Sequence, residues 1–170
     1  MRRLLEAISR LRQPEIPAST SLAVSQDEAR AVLESFLSLG DLQSNSDLIR
    51  GGSFAFVYRF PFQGCYYAIK EAKFPLEESD YCLDQLKGQA LLTNQGYPHF
   101  APYNPEPIDD RFLVQRFLPG VPSYNIIVQA EIGNDLADYN LYLADAKANA
   151  ILSPAFKKPI LIDLSGVSFL

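Results

Sequence analysis

The sequence is poor in the residues that build covalent or metal scaffolds: it has two cysteines, Cys65 and Cys82, and one histidine, His99, in 170 residues. Two cysteines cannot make a disulfide framework, and with a single histidine they cannot fill a four-ligand zinc site from soft ligands alone. Both read as small buried hydrophobes or weakly exposed thiols. A positive excess is also missing. The chain carries 15 Lys and Arg against 20 Asp and Glu, a formal net charge of -5. Broad binding to nucleic acid draws its affinity from neutralised phosphates, so it is not expected, although a local basic group could still serve one nucleotide. No apolar run approaches the roughly 18 residues needed to span a bilayer. The opening MRRLLEAISRLRQPEIPASTSL starts positive, as a signal peptide does, but Glu6, Arg10 and Arg12 interrupt any apolar core. General secretory export is therefore not expected.

What is present is a residue mix of 48% hydrophobic and 21% charged, typical of a globular chain of one domain or two small lobes. Residues 2–12 predict a short amphipathic helix stopped by Pro14 and Pro17, followed by the linker-like PEIPASTS. In SQDEARAVLESFLSLG, Ser25 can cap a helix, Asp27 and Glu28 suit its positive end, and Ala31, Leu33, Phe36 and Leu37 supply a stripe that Gly40 ends. From residue 48 the period changes to that of strands. LIRGGSFAFVYRFPF, a Gln63-Gly64 turn and CYYAIK predict a hairpin. A helix is expected from about Leu76 to Gly96, an extended segment across Pro98, Pro102, Pro105 and Pro107, and a strand at RFLVQRFL. Beyond it, IIVQAEIG reads as a short helix or strand, NLYLA as a strand, and KKPILIDLSGV as an apolar strand ending in a carboxylate.

Gly51 and Gly52, followed by Ser53, admit two readings. Glycines at the start of a strand often mark a bulge or turn, but they also let backbone N–H groups approach anionic oxygens. The neighbours favour the second. Val57 on the strand leaving the loop could cover a flat base, and Ala68, Ile69 and Lys70 end the next strand with a cation in reach of phosphates. RGGSFAFV followed by YAIK resembles the glycine loop and lysine strand of protein kinases, G-x-G-x-x-G-x-V and V-A-I-K, with Arg50 and Ala55 in place of the outer glycines. Three further stretches follow in that family's order. RFLVQRFLPG resembles the strand and hinge between lobes, DLADYNLYL has the D-x-x-x-x-N spacing of the catalytic loop, and ILIDLSG resembles the strand that opens D-F-G.

The resemblance implies an α+β, protein-kinase-like fold: a small antiparallel β-sheet lobe with a helix, and a much reduced C-terminal lobe. It divides the chain into an arm and helix at 1–42, an N-lobe at 43–118 and a truncated C-lobe at 119–170. It further implies ATP and Mg2+ as ligands. Asp135 would orient or deprotonate the acceptor hydroxyl, with Lys70 on the phosphates; Gly51, Gly52, Ser53, Val57 and Ala68 would line the nucleotide site, and main-chain groups near Arg116 and Leu118 would meet the adenine edge. Asn140 and Asp163 would be the metal ligands, and Glu78 would pair with Lys70. Gly133 and Asn134 replace the usual His-Arg, Leu164 and Ser165 replace the Phe-Gly, and seven residues follow Asp163. Within the family the chain resembles the minimal effector kinases that pathogenic bacteria inject into host cells. That implies a bacterial cytoplasmic protein before export and then secretion into a host cell, or one that stays cytoplasmic, acting on a host or partner protein, with an activating partner as a further expectation. Two alternatives stand beside this expected minimal Ser/Thr kinase: a nucleotide-binding pseudokinase that regulates another protein, and a small-molecule kinase resembling the aminoglycoside phosphotransferases.

Overall fold

The computed structural model describes residues 16–39, 47–51, 54–73, 81–122, 124–144 and 149–170, with 47–51 described by their backbone. The helix expected over 2–12 lies outside these residues, as does Gly40. Among the described residues the protein is mixed α+β, with four helices and three small antiparallel sheets. None of the helices is long and apolar enough to cross a membrane.

After a single turn, α1 (Ala18–Ser21), comes α2 (Gln26–Ser38). The Ser25 hydroxyl accepts the Glu28 N–H at 3.1 Å, the expected cap, and Asp27 and Glu28 occupy the first turn. Its buried stripe is Ala29, Val32, Leu33 and Phe36, a rotation from the expected face that leaves Leu37 exposed and Ala31 half-buried. The rotation follows from what the helix meets. Phe36 packs its ring 5.2 Å from Tyr58 and 5.5 Å from Phe60, and those aromatics are brought side by side only by strand alternation.

The sheet that α2 covers has the order β1 (Asp47–Gly51), β2 (Ala55–Phe62), β3 (Cys65–Ala72), β4 (Phe112–Arg116), antiparallel throughout. The expected Gln63-Gly64 turn forms with φ of 48° and 78°, the paired left-handed conformation whose twist suits a two-residue hairpin. One face of the sheet carries Tyr58, Phe60, Tyr67, Ile69, Phe112 and Val114 into a common core with α2. The opposite face carries Val57, Ala68, Lys70 and Leu113, by the period of two. Val57 lies directly across from Lys70, and Lys70 across from Leu113.

A second core joins that opposite face to the rest of the chain. It gathers Ala72 and Leu113 from the sheet, Cys82 and Leu92 from α3 (Tyr81–Gln95), and Ile132 and Leu136 from α4 (Ile126–Ala137). Leu141 and Leu143 of β6 (Leu141–Leu143) and Val167 of β9 (Val167–Phe169) complete it. The two strands form a ribbon, and the short strands β5 (Val121–Pro122), β7 (Ala150–Leu152) and β8 (Ile160–Leu161) form the third sheet in the order β5-β7-β8. The core thus runs without a break from residue 72 to residue 167, across the expected lobe boundary at 118.

The extended proline segment is the seam between the two halves. Prolines remove helical alternatives, so its remaining polar groups pair sideways. Ala101 N–H donates to Leu161 O at 2.9 Å and Leu161 N–H to His99 O at 3.0 Å, which ties β8 to the segment. Asn104 N–H donates to Val114 O at 3.0 Å and the Asn104 Oδ1 accepts Val114 N–H at 2.7 Å, which ties the segment to β4. Truncating the ring that seats α2, Phe36→Ala, is expected to lower the unfolding free energy by about 3–5 kcal/mol, read as a fall in the urea midpoint. An unchanged midpoint would mean that α2 does not stabilise the sheet.

Candidate active site

Lys70 sits near the end of β3 on the face away from α2, and it is buried. An ammonium taken from water needs acceptors. It donates to the Ile162 carbonyl at 2.8 Å and to the Tyr103 hydroxyl, whose own O–H donates to the same carbonyl at 2.7 Å. The ammonium also lies 4.8 Å from the centre of the Tyr103 ring. Burial lowers the Lys70 pKa, and the negative charge of Asp163 partly opposes it.

Asp163 follows β8 by two residues and is half-buried. Its Oδ1 accepts three hydrogen bonds: from Gln85 Nε2 at 2.5 Å, Ser165 Oγ at 2.8 Å and Ser165 N–H at 3.2 Å. No hydrogen bond from a described residue reaches Oδ2. Burial pushes this carboxyl up, but the Lys70 charge together with the Gln85 and Ser165 hydrogen bonds outweighs it and holds the pKa below the ordinary 3.8. Two tyrosines, Tyr103 buried and Tyr81 partly buried, close the surroundings. Burial first, and then the nearby Asp163 charge, raise the Tyr81 pKa; burial first, with Tyr81 and Asp163, raises that of Tyr103. Both stay neutral and can donate.

The expected site residues divide into those that share this place and those that do not. Val57 and Ala68 share the Lys70 face of the sheet, and Gly51 ends β1 paired with Phe56. Gly52, Ser53 and Glu78 lie outside the described residues. Arg116 turns its guanidinium to Glu28 of α2 at 2.6 Å and stacks 4.8 Å over Tyr67, while Leu118 is buried in a small cluster with Ala18, Ala101 and Ile160. The main chain there is partly spent, since Phe117 N–H donates to Tyr66 O at 3.0 Å.

Asp135 is on α4 rather than in a loop, and its two carboxylate oxygens take the Lys158 ammonium at 2.8 and 2.6 Å. Asn140 follows α4 in a left-handed turn, φ 57°, and its carbonyl accepts Leu170 N–H at 3.1 Å. The far end of the same ribbon is marked by Ala144 N–H donating to Gly166 O at 3.2 Å, next to Ser165. Ala144 is four residue steps from Asn140 across the three-residue strand β6, about 13 Å at the usual rise of ~3.3 Å per residue. Asn140 and the Asp163 segment are therefore at opposite ends.

Two residues enter the site that the sequence reading did not select. Asn149 accepts Ile162 N–H at 2.8 Å and Asp163 N–H at 3.3 Å through its carbonyl, so its backbone lies beside Asp163. Gln85 is fully buried and contacts Asp163 from α3. The apolar AIL after Asn149 was a signal of the same kind as the LYL after Asn140, but only the pairing of β7 with β8 decides between them.

Among the described residues no three His, Cys, Asp or Glu side chains are grouped to hold a metal. One hard carboxylate with an oxygen not taken by described donors suits magnesium, which keeps waters and shares phosphate oxygens rather than filling an all-protein cage. No family model matches the chain, and no curated protein shows significant similarity to it.

The charge relation between Lys70 and Asp163 has a signature in pH. A carboxyl whose folded pKa lies below its unfolded value adds stability above the unfolded pKa and loses it as pH falls through the folded one. Lys70→Met removes the cation that depresses Asp163, so its carboxyl moves up and its contribution shrinks. The stability difference, wild type minus Lys70→Met, is expected to narrow from neutral pH to about 3, measured by urea unfolding across that range. A constant difference would show that the two groups do not interact.

Proposed function

We propose that the protein is an ATP- and magnesium-dependent phosphotransferase of protein-kinase-like build, acting on a hydroxyl of a partner protein. The observation that carries this reading is the convergence of a buried lysine and a hydrogen-bonded aspartate, Lys70 and Asp163, on a sheet face that also bears Val57 and Ala68. Phosphoryl transfer asks little covalent work of a protein. It needs phosphates fixed in place and their charge offset. Lys70 is the fixed cation, at the inner end of β3. Val57 and Ala68 are small or apolar and leave a flat surface on the same face for a base. Asp163 would offer a carboxylate oxygen to a divalent ion, and the backbone of Asn149 lies against the same segment. When bound, magnesium would supply charge compensation on the phosphate oxygens.

A second reading has its own support. Asp135, expected as the base, is held by a two-oxygen ion pair to Lys158, and the hydrogen bond to Asp135 raises the Lys158 pKa. With that carboxylate engaged, the site would bind nucleotide for regulation without transfer.

Transfer of γ-labelled phosphate from magnesium ATP into eukaryotic cell lysate separates the two. Label on one or a few proteins that drops at least ~10²-fold in Asp163→Ala supports the phosphotransferase. Magnesium-dependent ATP binding by calorimetry, lost in Asp163→Ala but without any label, supports the regulatory reading. No binding by the wild type overturns both. On the same calorimeter, Asn149→Ala is expected to weaken the magnesium dependence of ATP binding by about tenfold or more, with Asn140→Ala close to wild type. The reverse order would return the metal role to Asn140.

A further inference from the structure

Helix α3 faces the Asp163 segment with an amide, that of Gln85. Gln85 is 0% exposed, and both ends of its side chain are used. Oε1 accepts Leu164 N–H at 2.7 Å, and Nε2 donates to Asp163 Oδ1 at 2.5 Å. The assignment of the two ends follows from chemistry, because the Leu164 N–H can only donate and an ionised carboxylate can only accept. Three residues after Gln85, Gly88 lets the helix lie against the strand end, since a Cβ there would overlap the Leu164 carbonyl oxygen. Glycine inside a helix costs about 1 kcal/mol relative to alanine, so this close approach has a reason.

We infer that Gln85 is the positioning residue of Asp163, orienting its carboxylate through an amide bonded at both ends, and that Asp163 itself excludes an acid from position 85. An ionised glutamate there has no donor for Oδ1 and would set a second negative charge in a buried place. The two carboxyls would then have to share a proton. The groups facing this pair are Lys70 from β3, Tyr103 from the proline segment, and Tyr81 and Cys82 from α3. Among these described groups Lys70 is the cation, and the negative charge of Asp163 acts on it. The helix therefore holds the site's anion in place and leaves the lysine to meet that anion, or the phosphates that replace it.

The inference rests on the phosphotransferase reading only for its consequence in nucleotide binding, and the test reads the free protein first. In Gln85→Glu the urea midpoint at neutral pH is expected to fall, and adding Asp163→Asn should restore it, because an amide at 163 can donate to the acid at 85. If Gln85→Glu alone does not fold at neutral pH, recovery in the double variant gives the same support. A double variant no more stable than the single one overturns the inference. Magnesium ATP binding by calorimetry is expected to weaken about tenfold or more in Gln85→Glu, and unchanged binding would overturn the positioning role. A wild type that does not bind magnesium ATP overturns the phosphotransferase reading, while the midpoints of the single and double variants still decide the role of Gln85.

Discussion

A lysine ammonium removed from water must be met by oxygen, and the second half of this chain is arranged around meeting that of Lys70. The penalty for an unpaired buried charge is several kcal/mol, comparable to much of a small domain's stability. The acceptors come from distant parts of the sequence: the Tyr103 hydroxyl from the proline segment, and the Ile162 carbonyl and Asp163 charge from the strand end. Neither supplier holds itself in place. The proline segment is fixed by Asn104 against β4 and by the Gln89 side chain, which accepts Tyr103 N–H at 2.6 Å and donates to its carbonyl at 3.1 Å. Strand β8 is fixed by the same segment at His99 and Ala101. Breaking the seam would leave the lysine without partners.

The other side of the sheet shows a parallel dependence. Glu28 near the start of α2 accepts the Tyr67 hydroxyl at 2.5 Å and the Arg116 guanidinium at 2.6 Å, and Arg116 stacks on Tyr67. Burial, helped by the Glu28 hydrogen bond, raises the Tyr67 pKa to about 12. The ion pair is about one-quarter exposed on each side, so much of its attraction is screened, and the arrangement contributes geometry more than energy. What it fixes is the junction of β3 with the end of β4, where the chain leaves the sheet. The Arg116 side chain is thus committed to the α2 face of the sheet.

The parts of this arrangement that were legible in the sequence are those set by local rules. Strand alternation alone puts Val57, Ala68 and Lys70 on one face, the Gln63-Gly64 turn fixes their register, and Ser25 with Asp27 and Glu28 marks the start of α2. The carboxylate at the end of ILID was legible for a similar reason, because an apolar strand ends where its polarity changes. Asp135 and Asn140 were not, because a five-residue spacing recurs as readily across a helix end as along a loop. IIVQAEIGNDLA is helical through Ala137, with Ile132 and Leu136 on its buried side, and that continuation carries Asp135 away from any loop. Gln85 and Asn149 could not be found at all from spacing. Each reaches Asp163 through a contact that exists only once α3 and the β7–β8 pair have docked.

The charges at the site decide which ligand it can accept. Among the described residues Lys70 and Asp163 bring opposite charges to the site, and Asp163 would repel a bare polyphosphate. A triphosphate brings several negative charges to one fixed cation. Lys70 alone leaves most of them uncompensated in surroundings of low polarity, where like charges are screened least. On the proposed function, Asp163 would hold the divalent ion that arrives with the nucleotide, the ion would supply charge compensation, and Lys70 would be left to meet the phosphates. Held by Gln85 rather than by an acid, Asp163 keeps its pKa depressed, so the exchange needs no proton to be taken up or lost near neutral pH. An acid at position 85 would couple each such exchange to protonation, and this is the physical reason for an amide there.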